Sequence, residues 1–283
     1  MPEGDTIYRT ATTLNRALAG RTVTAFETAY AHLARVDDDA AIKGRRVESV
    51  TSAGKHVLIE FQGGLVLRTH MRMNGSWHLY RPGERWRVSR AAMRIVVATD
   101  EWVAVAFNVP VAEFLRKHDV SRRSAVAALG PDLLADEFDM DAAVSRMRSR
   151  AREPIADVLL NQRVVAGIGN VYKSESLFAA GVHPFTPVEG LDNETLVTLL
   201  GHARRLLKAN IKPTSPAQII TYGGLSRPTG RMDFGRGLWV YGRRGQPCRT
   251  CGTPIEAKKT GPHARGTYWC PRCQGPDKAG PHN

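Results

Sequence analysis

The chain has 283 residues, 42% of them hydrophobic, enough for two or three domains with cores of their own. No uninterrupted apolar run approaches a membrane span and "MPEGDTIYRT" lacks signal-peptide character, which argues against membrane and secreted classes and for a soluble intracellular protein. The formal charge of +13 points to a polyanionic partner, nucleic acid ahead of membrane, and residues 231–283 carry +7 of it, with ten Lys/Arg against three Asp/Glu.

The chain opens "MPEGDT". A small residue at position 2 permits removal of the initiator, which leaves Pro2 with a free secondary amine beside Glu3. An N-terminal amine has a reference pKa of about 8, so a neutral fraction is available to attack an electrophilic carbon and form an iminium. Pro2 also fits as an ordinary terminal residue. Ile7, Ala11, Leu14 and Leu18 recur at helical spacing and Gly20 supplies a stop, predicting a helix over 5–18 with Pro2 and Glu3 at or just before its start. The positive end of that helix disfavours a protonated amine, while the Glu3 carboxylate favours it.

From Arg21 to about Phe107 the pattern is that of strands: "RTVTAFET", "RRVESVTS", "HVLIEFQ", "LVLRTHM", "RIVVAT" and "WVAVAF". One helix followed by hairpins predicts an antiparallel β-sandwich. After about residue 115 the signal turns helical, in "DAAVSRMRSRA", "IADVLLNQRVV", "VYKSESLFAAG" and "NETLVTLLGHARRLLKAN". The expected organisation is α+β and multi-domain: helix and sandwich over 1–115, a linker at 116–130, a helical domain at 131–237 ending in a mobile loop at 213–237, a cysteine module at 238–275, and a tail at 276–283.

"NQRVVAGIGNVYKSESLF" sets Gly167 and Gly169 between two apolar-periodic segments, with Asn170 opening the second. Glycines permit close backbone approach, and a helix N-terminus offers free N–H groups to a phosphate. An ordinary helix hairpin with an Asn cap fits the same residues. The four cysteines are spaced Cys248-x2-Cys251-x18-Cys270-x2-Cys273, which falls within the four-cysteine zinc template, and two Cys-x-x-Cys turns complete a tetrahedron. A closed structural Zn²⁺ site held in a hairpin is therefore expected, ahead of disulfides or redox dithiols. Lys258, Lys259, His263 and Arg265 lie between the pairs, either to enter a nucleic-acid groove or to form a solvated rim.

Together "MPEGDT", "GKHVLIEF", "THMRMNGSW", "GIGNVYKSESLF" and "VYGRRGQPCRTCG…RGTYWCPRCQ", in this order, make the chain resemble the formamidopyrimidine-DNA glycosylase/endonuclease VIII family of base-excision repair enzymes. The resemblance implies an N-terminal sandwich, a helix–two-turn–helix domain and a zinc finger with one structural Zn²⁺, with damaged double-stranded DNA held in the cleft between the halves. It implies Pro2 as the nucleophile at C1′ of the damaged nucleotide and Glu3 as the acid that opens the sugar. Lys55, by the same likeness, contacts phosphate and donates a proton in β-elimination, and Arg265 clamps phosphates and serves δ-elimination. Asn170 and His70 match phosphate contacts. Met73 sits where the family inserts a wedge into the gap left by the flipped base, with Arg72 and Asn74 beside it; a buried strand methionine is the other reading of Met73. A monomer in the bacterial cytoplasm, associated with the nucleoid through DNA, is implied as well.

One departure bears on substrate. The guanine-repair branch carries an arginine- and phenylalanine-bearing loop after its last sandwich strands, whereas this chain has "AFNVPVAEFL" there. The stretch after Pro213 also lacks that branch's lid pattern, while both ends of the chain look more like endonuclease VIII. Oxidised pyrimidines are therefore the expected lesions, with 8-oxoguanine or formamidopyrimidine as the alternative. Two rival classes remain: a non-catalytic zinc-containing DNA-binding protein leaves Pro2, Glu3 and Lys55 unexplained, and a proline-amine enzyme acting on small carbonyl compounds leaves the zinc and charge unexplained.

Overall fold

A computed structural model describes residues 2–211, 237–260 and 264–275. The predicted loop at 213–237 (Gly237 apart), His263 and the tail at 276–283 lie outside the described residues. The chain forms two compact units, Met1–Leu129 and Gly130–Asn283.

In the first unit, helix α1 (Gly4–Leu18) buries Ile7, Ala11, Leu14 and Leu18, the stripe that its sequence period dictates. Two antiparallel four-stranded sheets follow. One has the order β2 (Val47–Ala53), β3 (His56–Phe61), β4 (Leu65–His70), β8 (Val111–Arg116); the other is β1 (Ala25–Thr28), β6 (Met93–Ala98), β7 (Val103–Phe107), β5 (Ser76–Tyr80). Alternate residues of both sheets (Val57, Ile59, Phe61 and Leu67 against Ile95, Val97, Ala104 and Ala106) share one core with α1. The Asn15 side chain accepts from the Val50 amide at 2.7 Å and pins α1 to β2.

Two segments here differ from the sequence reading. Helix α2 (Ala31–Ala40) was not anticipated, because Leu33 is its one buried side chain and three aspartates follow it. Strand β8 lies where no strand was predicted; Val111–Arg116 pairs along β4 from His70↔Val111 to Leu65↔Arg116, so sheet partnership overrides a weak local pattern. Helix α3 (Lys117–Arg123) follows it.

In the second unit, α4 (Met140–Arg148), α5 (Ile155–Leu160), α6 (Asn170–Ala179) and α7 (Asn193–Asn210) precede a hairpin of β9 (Glu256–Thr260) and β10 (Arg265–Trp269). Helix α5 stops at Leu160, short of the predicted Val165. The Gln162 side chain takes over, donating to the Leu160 and Ile168 carbonyls and accepting from the Gly167 amide. Gly167, at φ 105, adopts the backbone that closes this double turn. "LWVYG" forms a turn, in which the amides of Trp239, Val240 and Tyr241 are all taken by the Glu175 carboxylate at 2.8–2.9 Å. Among the described residues no helix is long and apolar enough to cross a membrane.

Candidate active site and nucleic-acid interface

Glu3 occupies the N-cap position of α1 and is fully buried, with Gly4 and Asp5 buried behind it. Its carbonyl accepts from the Ile7 amide at 3.0 Å, closing the first turn. Pro2, half-buried, is the residue immediately before this cap, so its nitrogen sits at the positive end of a fifteen-residue helix. Lys55 is half-buried in the two-residue turn between β2 and β3, where Gly54 at φ 55 supplies the left-handed first position.

Beside that turn lies a chain of side chains that the sequence did not reveal. Glu113 accepts from Arg68 Nε at 2.7 Å, and Arg68 Nη1 donates to His56 Nδ1 at 2.9 Å. The His56 ring meets His70 edge-on at 4.7 Å, and His70 Nδ1 accepts from the Arg72 amide at 3.1 Å. Each Nδ1 is an acceptor, so each neutral ring carries its proton on Nε2. Burial pushes His56 down to about 3, with His70 and Arg68 adding to the effect. Burial likewise pushes His70 down to about 4, and the cations of Arg72, Lys55 and Arg68 act in the same direction. The result is a neutral N–H donor set among fixed positive charges, an environment suited to a phosphate oxygen.

Strand β4 then leaves one sheet and β5 enters the other, and the turn between them carries Arg72, Met73 and Asn74, all exposed. Met73 is 70% exposed, which overturns its reading as a buried strand methionine; Met71, just past the end of β4, is the buried one at 2%. Gly75 donates to the Met71 carbonyl at 2.9 Å, and a Cβ on Gly75 would lie 2.5 Å from that oxygen. This closed turn, with Arg72 at φ 48, holds an apolar side chain out into solvent. The β7–β8 connection, Asn108–Pro110, also crosses between sheets in three residues. Val109 is buried there, and Asn108 and Pro110 are the exposed side chains.

In the second unit Asn170 is the first residue of α6, and its Oδ1 has no hydrogen-bond partner among the described residues. Arg265 opens β10, in register with Thr260. The four cysteine sulfurs lie within 4.8 Å of one another, with Cys248–Cys273 at 3.9 Å and Cys251–Cys270 at 3.4 Å. A tetrahedron of Zn–S bonds of about 2.3 Å spaces its sulfurs about 3.8 Å apart, so the set fits this metal. No disulfide joins them. Burial pushes the Cys270 thiol up to about 11 and Cys273 higher still, so a bound cation is what would hold them as thiolates. Gln274 supports the site, accepting from the Cys270 amide and donating to the Val182 carbonyl.

A buried glutamate capping α1 and a sandwich edge of neutral imidazoles and cations in one unit, with a double turn opening a helix and a four-sulfur finger in the other, are the features of an enzyme that works on nucleic acid. The chain belongs to the formamidopyrimidine-DNA glycosylase/endonuclease VIII family. Residues 1–110 match the formamidopyrimidine-DNA glycosylase N-terminal domain, 129–219 its H2TH domain, and 245–275 the zinc finger found in FPG and IleRS. It is 40% identical over 279 residues to the probable endonuclease 8 2 of Streptomyces coelicolor, covering 97% of this chain and 94% of that one. Endonuclease 8 2 of Mycobacterium tuberculosis is 41% identical over 279 residues, covering 97% and 100%. The DNA-(apurinic or apyrimidinic site) lyase Nei2 of Mycolicibacterium smegmatis is 36% identical over 274 residues, covering 97% and 99%. The Lactococcus lactis formamidopyrimidine-DNA glycosylase, solved on DNA containing an AP site, shares the fold at a TM-score of 0.79 and 21% identity, over 96% of this chain and 99% of that one.

Proposed function

We propose that this chain is a bifunctional DNA glycosylase and AP lyase of base-excision repair that removes oxidised pyrimidines. The observation that carries the reading is Pro2 directly before the buried N-cap Glu3 of α1, in a member of this family. With Met1 removed, the Pro2 nitrogen bonds to C1′ of the damaged nucleotide, and the base leaves with the electrons of its glycosidic bond and takes up the proton shed by the Pro2 nitrogen. Glu3 protonates O4′ as the C1′–O4′ bond breaks, and the freed Pro2 lone pair completes the iminium. The iminium acidifies the C2′ proton, whose loss expels the 3′ phosphate (β-elimination). A second elimination expels the 5′ phosphate.

Lys55 contacts phosphate near the lesion and donates a proton in the first elimination; Arg265 clamps phosphates and serves the second. Asn170 and His70 hold phosphates, and Met73, with Arg72 and Asn74 beside it, fills the gap left by the flipped base. Cys248, Cys251, Cys270 and Cys273 hold one Zn²⁺, whose chemistry is structural. The working form is a monomer on damaged duplex in the bacterial cytoplasm.

Borohydride trapping tests the amine. Incubation with duplex containing an oxidised pyrimidine should give a covalent protein–DNA band on a denaturing gel. Pro2→Gly, which replaces the secondary amine with a primary one, should weaken the band. An uncleaved N-terminal extension should remove it. Undiminished trapping by protein retaining Met1 would sink the assignment.

A further inference from the structure

The stretch "KSE" in α6 is a run of polar residues, yet Lys173, Ser174 and Glu175 are all fully buried. A buried lysine in a helix interior is costly unless its ammonium is hydrogen-bonded. Here Nζ of Lys173 donates to the Thr267 hydroxyl at 2.7 Å and to the Gly266 carbonyl at 3.3 Å. These are the two residues directly after Arg265 on β10. The other end of the same residue closes the helix start, since the Lys173 amide donates to the Gly169 carbonyl at 2.9 Å. Lys173 lies three residues after Asn170, so both share one helix face. A single residue therefore touches the turn that presents Asn170 and the strand that presents Arg265. Ser174 and Glu175 tie down different parts of the finger, at the Tyr268 amide and at the amides of residues 239–241.

We propose that Lys173 is a positioning residue that sets Arg265 relative to Asn170, so that the two engage the phosphate backbone together. The proposal rests on the reading of Arg265 as a phosphate contact. It separates Lys173 from the cysteines: zinc holds the hairpin's base, whereas Lys173 holds its placement on α6. The ammonium suits this task because two of its donors meet a strand carbonyl and a strand hydroxyl, a pairing that a one-residue slip of β10 would break.

The test is a double-mutant cycle in the full-length, zinc-loaded protein on duplex carrying a tetrahydrofuran abasic-site analogue. Lys173→Met keeps length and apolar bulk. It should leave zinc content unchanged, weaken binding about tenfold, and make the salt slope shallower by about 0.9, the loss of one phosphate contact. In an Arg265→Ala background the same substitution should change affinity by less than about twofold, because the contact it positions is already gone. Thr267→Val keeps the lysine and its bond to the Gly266 carbonyl. It should show the same pattern at a smaller amplitude, and serves if Lys173→Met folds poorly. Equal losses from Lys173→Met with and without Arg265, or an unchanged salt slope, would overturn the positioning role. An Arg265→Ala protein with unaltered affinity would instead remove the phosphate reading beneath it, and the proposal with it.

Discussion

On the proposed reading, the sandwich and the finger solve the same problem, presenting a few side chains to a polyanion, by opposite means. The sandwich holds Pro2, Lys55 and the Met73 turn on a core of aliphatic residues drawn from both sheets and α1. The finger's cluster is small: Phe178, Val240, Ile255 and three of the four cysteines, packed against Trp239 and Tyr268. What it lacks in apolar area is supplied by four sulfurs and by buried polar anchors from α6. The first region should therefore survive most local chemical changes, and the second should depend on its ligand and on individual hydrogen bonds.

Metal removal gives the largest expected effect. Structural zinc binding contributes about 10–16 kcal/mol in finger peptides, so chelation or Cys248→Ser should unfold residues 238–275 and weaken duplex binding by at least about a hundredfold. The sandwich should keep its own cooperative melting transition. A sandwich that melts together with metal loss would break the comparison.

The next test places lesion choice in the first unit. With three residues between β7 and β8 and no arginine among them, single-turnover excision of thymine glycol or dihydrouracil should exceed that of 8-oxoguanine opposite cytosine by about tenfold or more. Excision should be nearly indifferent to the opposite base. If 8-oxoguanine proves the best substrate, the pyrimidine assignment fails while the Pro2 chemistry stands.

Met73→Ala separates presentation from stability. The side chain is 70% exposed, so denaturant midpoints should shift by less than about 0.5 kcal/mol equivalent. Excision should still slow several-fold because the vacated stack is left unfilled. A large stability loss would mean that Met73 packs in the folded protein.

The remaining test is one of pH. His56 and His70 have folded values near 3 and 4, below the ordinary 6.5, so the unfolded chain binds more protons as pH falls. Their stabilising contribution is complete above about pH 6.5 and is lost progressively towards pH 4 and 3. The denaturation midpoint of the sandwich should drop across that window, and His56→Gln should flatten the drop. A midpoint independent of pH between 6.5 and 4 would show that the pair is solvated.

What could be read from sequence follows the same division. Helix α1 was legible because four apolar residues keep one period, and the finger because cysteine spacing reports metal geometry directly. Strand β8 and helix α2 were not, since β8 is specified by its partner β4 and α2 buries little beyond Leu33. The Arg68–His56–His70 chain joins three residues spread over two strands, a relation that no local pattern encodes. Lys173 and Glu175 were the hardest to see, because charged residues inside a helix ordinarily face solvent and their partners lie more than sixty residues away. The one available hint was their position within the apolar segment that follows the Gly167–Gly169 turn.

The pairing of β4 with β8 also bears on how the protein is made. The sheet against which α1 packs is complete only when residues 111–116 are present, because β8 closes its edge along β4. At ribosomal rates of about 5–20 residues per second, Pro2 precedes that edge by something on the order of ten seconds. During this interval Glu3, Gly4 and Asp5, all buried in the finished fold, belong to an extended nascent chain. Pro2, half-buried in the finished fold, is then open to a peptidase. On the role proposed for Pro2, removal of Met1 is thus favoured early in biosynthesis, and slow processing would leave folded protein whose amine is capped.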